Sequence, residues 1–284
     1  MAREAIALAR TTRNRRVLYE TLRSAVSALM DFAPAEERVV LNREYTALAA
    51  EFHDVPEQFR GNLRLMIDAS ELANGRAMEE AIAMCADIAR RLDLPHYSWR
   101  AASCRAMREM IVGDIEAARV HIDEAEVLAG RAGDRGAKLT LAIQRFGLLR
   151  DAGADFAPTL SEVEARLDEA FVRIPYAKRF VEVQIAGYRC RTGDRVAGAE
   201  LAESGRAAEV LGMADRSSTC ALGEIAMELN DRELAKDVAR VLEPFAGTCG
   251  HFGIMGSLWD GPVDYTLGLL AAYLDDRDAA QRHF

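Results

Sequence analysis

Proline is scarce in this chain, with 7 in 284 residues, so few positions would break a helix by removing a backbone donor or clashing with the preceding turn. Long apolar runs are missing too. None approaches the roughly 20 residues of a membrane-spanning helix, and the opening MAREAIALARTTRNRR lacks the apolar stretch of a secretory signal. Both absences point to a cytoplasmic chain with no membrane partner. The five cysteines, Cys85, Cys104, Cys190, Cys220 and Cys249, include no Cys-x-x-Cys pair and read as buried, reduced thiols. Positive charge is in deficit: 36 Lys and Arg face 45 Asp and Glu, a net charge of -9. Phosphate binding needs a concentrated positive surface, so direct nucleic-acid binding is not expected. The run Arg10, Arg13, Arg15 and Arg16 is a local exception, read as a solvated helix start or a contact to a preceding domain in preference to a nucleic-acid contact.

Helix formers and small residues are abundant. Ala106 and Ala118, Ala186 and Gly198, Gly223 and Ala235, and Gly268 and Ala280 each lie twelve positions apart, with Ala125 and Gly205 extending the first two sets. A short polar turn falls inside each interval: Gly113-Asp114, Gly193-Asp194, Asn230-Asp231 and Asp275-Asp276. Antiparallel helices joined by a tight turn approach where side chains are smallest, so the interval predicts one helical hairpin built repeatedly. Strands have little support. The expected fold is all-α, a right-handed αα-superhelix of five or six hairpins forming a single domain over residues 1–284. Residues 1–75 form less regular helices, and 76–284 carry the recognisable hairpins.

Apolar periodicity predicts helices over Arg16 to Phe32, Ala35 to Phe52, about Glu57 to Leu72, and Ala77 to Leu92, with the next starting near Tyr97 and Ser98 available to cap it. Asp114 is placed to cap the helix that carries Ile115, Ala118, Ile122, Ala125 and Leu128. The turn positions Gly75, Gly113, Gly153, Gly193, Asn230 and Asp275 are spaced 38, 40, 40, 37 and 45 apart, somewhat longer than the tetratricopeptide period of about 34. At the Gly153 hairpin, Phe146 and Pro158 stand where small residues would fall, which predicts splaying or a longer turn.

Leu267-Gly268, Ala280 and Phe284 resemble the tetratricopeptide pattern, as do Leu222-Gly223 and Ala235. LEPFAGTCGHFGIMGSLWDGPVDYTLGLLAAYLDDRDAAQRHF and RAMREMIVGDIEAARVHIDEAEVLAGRAGD are similar to the C-terminal helical-repeat regions of large bacterial regulators. In those regulators a signal-transducing ATPase, often beside a nucleotide cyclase or a LuxR-type DNA-binding domain, precedes the repeats. The likeness runs from about Glu71 onward. It implies a non-catalytic sensor or scaffold that takes a protein, peptide or small effector on its concave face. A free-standing adaptor joining two proteins is the alternative. The chain itself has no Gly-x-x-x-x-Gly-Lys-Ser/Thr loop and no recognisable helix-turn-helix. The final hairpin stops at Phe284 with an apolar face uncovered, which suits an excised segment, a partner helix or self-association at that end.

Carrying tetratricopeptide geometry onto two hairpins places Arg100, Ser103, Met107 and Met110, and then Ser217, Cys220, Glu224 and Met227, on the groove. No Gly-x-Ser-x-Gly or His-Glu-x-x-His occurs, and His53, His96, His121, His251 and His283 have no metal spacing. No catalytic residue, metal or cofactor is therefore assigned. Cys249-x-His251 offers two ligands at most and reads as a structural loop. Leu274-Asp275-Asp276-Arg277-Asp278 reads as a helix cap rather than a cation site. The largest local anomaly is Gly247 to Pro262, where Gly247, Gly250, Gly253, Gly256 and Gly261 surround Phe252, Met255 and Trp259. It is read as packing over the hairpin junction, with a ligand site at Trp259 as the competing reading.

Overall fold

The computed structural model describes residues 1–30, 33–134, 136–170, 175–204, 206–213, 215–252 and 257–284. Phe32, Gly205, Gly253, Met255 and Gly256 of the sequence reading lie outside them. The chain is all-helical apart from one two-stranded sheet among the described residues. Its N-terminal helices are α1 (Ala2–Thr11), α2 (Arg15–Ala28) and α3 (Ala35–Glu51). Paired helices follow: α4 (Val55–Glu71) with α5 (Gly75–Leu92), α6 (Pro95–Val112) with α7 (Ile115–Ala132), and α8 (Ala137–Asp151) with α9 (Ala157–Ala170). Then come α10 (Pro175–Arg191) with α11 (Arg195–Glu203), the short α12 (Arg206–Met213), and α13 (Arg216–Leu229) with α14 (Arg232–Leu242). A hairpin of β1 (Cys249–Phe252) and β2 (Leu258–Pro262) precedes the last pair, α15 (Val263–Tyr273) and α16 (Arg277–His283).

One joint is used repeatedly. A residue with positive φ ends a helix, and the following Asp or Asn accepts a backbone N–H of the next helix, satisfying an otherwise unpaired donor. Gly113 and Asp114, Asn230 and Asp231, and Asp275 and Asp276 make this joint, with Ala117, Leu234 and Ala279 as donors. So do Arg13 and Asn14, His53 and Asp54, and Ala73 and Asn74. The N-terminal helices thus share the turn chemistry of the later pairs, although their apolar spacing looks less regular. The Gly153 joint is longer, running from 152 to 156 between α8 and α9.

The small residues sit at close helix approaches. Ala106, Ala118 and Ala125 are fully buried. A Cβ at Gly198 would lie 2.5 Å from Cys190 Sγ, and one at Gly268 would lie 2.8 Å from the Phe284 ring. Helix ends shift by a residue or two from the sequence reading, except that α2 ends at Ala28, four positions before the expected Phe32, and one cap is replaced. The α6 helix starts at Pro95, and the Ser98 hydroxyl donates to the Leu94 carbonyl instead of capping.

In keeping with the expectation of little strand, strand among the described residues is confined to one β hairpin. Glycines lower helix propensity, and the segment gains its backbone bonds by pairing Cys249 with Pro262, Gly250 with Gly261, His251 with Trp259, and Phe252 with Leu258. The irregularity between Gly250 and His251 leaves Asp260 as the extra residue of β2, a bulge that re-aims a side chain. Phe252 and Leu258 are fully buried within the central core, which otherwise comes from α4 to α10. Separate clusters join α1 to α3, and α10 to α15.

Candidate functional site

The hairpin is seated against the first helices of successive pairs: β1 on α4 and α13, and β2 on α6 and α8. Its apolar anchor is Phe252, whose ring lies 5.6 Å from Phe146 of α8 and 5.5 Å from Tyr188 of α10, both edge-on. Edge-to-face packing suits the quadrupoles of the rings. The seat is close-fitting: a Cβ at Gly147 would lie 2.3 Å from Leu258 Cδ1, and one at Gly250 would lie 2.6 Å from Ser217 Oγ.

Two polar clusters hold the hairpin at its edges. On β2, Asp260 accepts from Arg150 Nη1 at 2.9 Å and from the Tyr188 hydroxyl. Arg150 also donates to Tyr188 Oη at 2.7 Å and to the Trp259 carbonyl at 3.3 Å. Burial acts to lower the Arg150 pKa, but Tyr188 and Asp260 more than offset it, so the guanidinium stays charged. Burial, with Asp260 alongside, pushes the Tyr188 hydroxyl well up and keeps it neutral.

On β1, His251 Nε2 lies 2.8 Å from Ser70 Oγ of α4, and Gln184 of α10 donates to the His251 carbonyl at 3.2 Å. Burial holds the His251 imidazole below its ordinary value of 6.5. Beside it, Glu71 accepts from Arg38 at 2.6 Å and from Arg216 at 2.7 Å, while Asp68 accepts from Arg38 and Asn42, each at 2.7 Å. Burial raises the Asp68 pKa despite Arg38, and Asp215 accepts from the Ser218 backbone. Buried charges of this kind persist where they are paired and hydrogen-bonded.

A serine against an imidazole is the geometry of nucleophilic activation, but the remaining features point elsewhere. The Ser70 hydroxyl donates to the Ile67 carbonyl at 2.8 Å, and His251 Nδ1 has no partner among the described residues. The arrangement lacks the third group that orients a catalytic base. What it can do is hold a strand. No group of three or more His, Cys, Asp or Glu side chains among the described residues is placed to hold a metal ion.

The residues expected on a groove are placed as follows. Met107 and Met110 are 1% and 7% exposed and fill the central core. Ser103 is buried, its carbonyl accepting from Gln144 at 2.9 Å. Arg100 is partly buried, 3.2 Å from Asp134 and stacked on Trp99. Ser217 lies beneath Gly250, Glu224 pairs with Arg191, and Met227 and Cys220 pack on the C-terminal core. Trp259 is half-buried on the central core. The hairpin reaches both groups, with Ser217 beneath β1 and Trp259 of β2 packed against the core that holds Met107 and Met110. Sequence reading missed Ser70, Arg150, Gln184, Tyr188 and Asp260, whose partners lie 67 to 181 positions away. The one available signal was the glycine-rich interruption.

Elsewhere, three of the N-terminal arginines are paired within the chain: Arg10 with Glu44, Arg15 with Glu51, and Arg16 with Glu20. A groove of about 500 Å³ between α7, α8 and α9 mixes Lys138, Arg145 and Arg166 with Glu126 and Glu162. No described helix is long and apolar enough to cross a membrane. No known protein family matches the chain, and no curated protein is similar to it.

Proposed function

We propose that this chain is a non-catalytic helical-repeat sensor or scaffold, serving as the effector-recognition region of a bacterial signalling or transcriptional regulator does. In this reading the pairs stack as a right-handed tetratricopeptide-like superhelix whose first helices line the concave face. An effector, peptide or protein binds there or at the hairpin edge and shifts the curvature of the stack. A ligand can do this only if it favours one curvature over the other. The observation that supports the reading is the β hairpin, which ties α4 to α13 across the intervening pairs. A clasp of that kind has two arrangements, seated and unseated, for a ligand to choose between.

The test is a thermal-shift screen of small effectors and peptides, followed by hydrogen exchange of the full chain with each hit. Sensing requires altered protection across β1, β2 and the first helices. Saturating ligands that all leave those amides unchanged would overturn sensing and leave the adaptor reading.

A further inference from the structure

Residues 181 positions apart meet at one imidazole. Because the Ser70 hydroxyl donates to the Ile67 carbonyl at 2.8 Å, its oxygen is left to accept, and His251 Nε2 is the donor in their 2.8 Å bond. Nε2 therefore carries a proton, and in the neutral ring Nδ1 is bare. This Nδ1 is closed off from solvent and has no hydrogen-bond partner among the described residues. A proton added there would place an N–H and a unit charge where no acceptor waits.

The charged groups around the ring do not supply one. Glu71 of α4 faces it but is shared by Arg38 of α3 and Arg216 of α13. Asp68 of α4 is taken by Arg38 and Asn42, and Asp215, next to Arg216, by the Ser218 backbone. Asp260 of β2 is held by Arg150 and Tyr188. The two arginines oppose a third positive charge, and the two nearest carboxylates already have their partners.

We propose that His251 is a proton-sensitive latch: charging its imidazole unseats the β hairpin from the first helices. The sign follows from linkage. The seated ring, held below 6.5 by burial, binds its proton less readily than the unseated one. Seating is therefore unaffected above that value and is progressively lost as pH falls below it, by up to about tenfold per pH unit until the seated ring also titrates. The consequence for signalling rests on the sensing reading above; the latch itself does not.

Hydrogen exchange of the full chain at pH 7.5 and 5.5, corrected for intrinsic rates and without ligand, tests it. Wild type should lose about tenfold protection in β1, β2 and the end of α4 at the lower pH, whereas folded His251→Gln and His251→Phe should not. Unchanged wild-type protection, or equal loss in both variants, would overturn the latch and leave ligand sensing standing. Should neither variant fold, ¹⁵N shifts of the wild-type ring decide: a charged imidazole beneath a still-protected hairpin overturns it, and charging concurrent with loss of protection supports it.

Discussion

Glu71 and Arg216 lie 145 positions apart in the chain and 2.7 Å apart in space, and the same carboxylate accepts from Arg38. One side chain of α4 thus joins α3 to α13. The β hairpin closes over this junction through His251 and Ser70. The pairing of first helices with their own second helices is local, whereas this contact joins helices far apart in the chain.

Removing that carboxylate takes from the part-buried Arg216 its ion-pair partner among the described residues and leaves Arg38 paired with Asp68 alone. Breaking a buried ion pair typically costs about 3–5 kcal/mol, so Glu71→Ala is expected to destabilise the chain by about 3 kcal/mol or more. Urea titration followed by circular dichroism measures it, and a loss below about 1 kcal/mol would mean that solvent already screens the pair.

Arg150 and Tyr188 differ in what their loss leaves behind. Arg150→Met leaves Asp260 as a poorly compensated charge and should cost about 3–5 kcal/mol, while Tyr188→Phe keeps the ion pair and should cost about 1 kcal/mol. Trp259 fluorescence reports on the same strand. Its red shift in Arg150→Met should precede global unfolding, and coincident transitions would show that the hairpin has no separate stability.

Two glycines make a paired test of helix packing. A Cβ at Gly187 of α10 would lie 2.9 Å from the Ala221 Cβ and 3.2 Å from its backbone, so Gly187→Ala must push α10 and α13 apart, at about 1–3 kcal/mol. Gly130 of α7 has open space around its Cβ position, and Gly130→Ala should instead stabilise by about 0.5–1 kcal/mol. Thermal melts of both variants check the opposite signs.

Asp134 sets an acid limit. Burial acts to raise its pKa, but Arg100, the Gly136 N–H and Trp99 together hold it below the ordinary 3.8. Its contribution to stability is therefore present above that value and is lost as pH falls through the lower folded value. Asp134→Asn should be less stable than wild type near neutrality, with the difference closing below pH 4. A gap that stays constant in urea midpoints from pH 7 to 3 would exclude this linkage.

Much of the helical framework was legible because its determinants are near in sequence. Gly113 and Asp114 supply a left-handed turn and a cap within two residues, and Ala106 and Ala118 mark a close approach across that turn. The joint at Arg13 and Asn14 was also written in the chain, but an arginine with positive φ carries no compositional signal. The burial of the residues expected on a groove was not legible. Met107 and Met110 have the spacing of groove residues, and nothing local distinguishes a methionine that lines a groove from one packed within the central core, to which the hairpin also contributes.

The sequence by itself determined that the chain is helical, where its helices turn, and which small residues let paired helices touch. Helix periodicity, capping and short turns act over a few residues to a few tens, so each stretch carries its own instruction. Tertiary structure alone decided the course of Cys249 to Pro262, and with it the partners of Ser70, Arg150, Tyr188 and Gln184. A glycine-rich segment has weak local preference and the largest backbone entropy to lose. Its conformation is chosen by the surface that buries Phe252 and Leu258, and that surface exists only once helices from distant parts of the chain have come together.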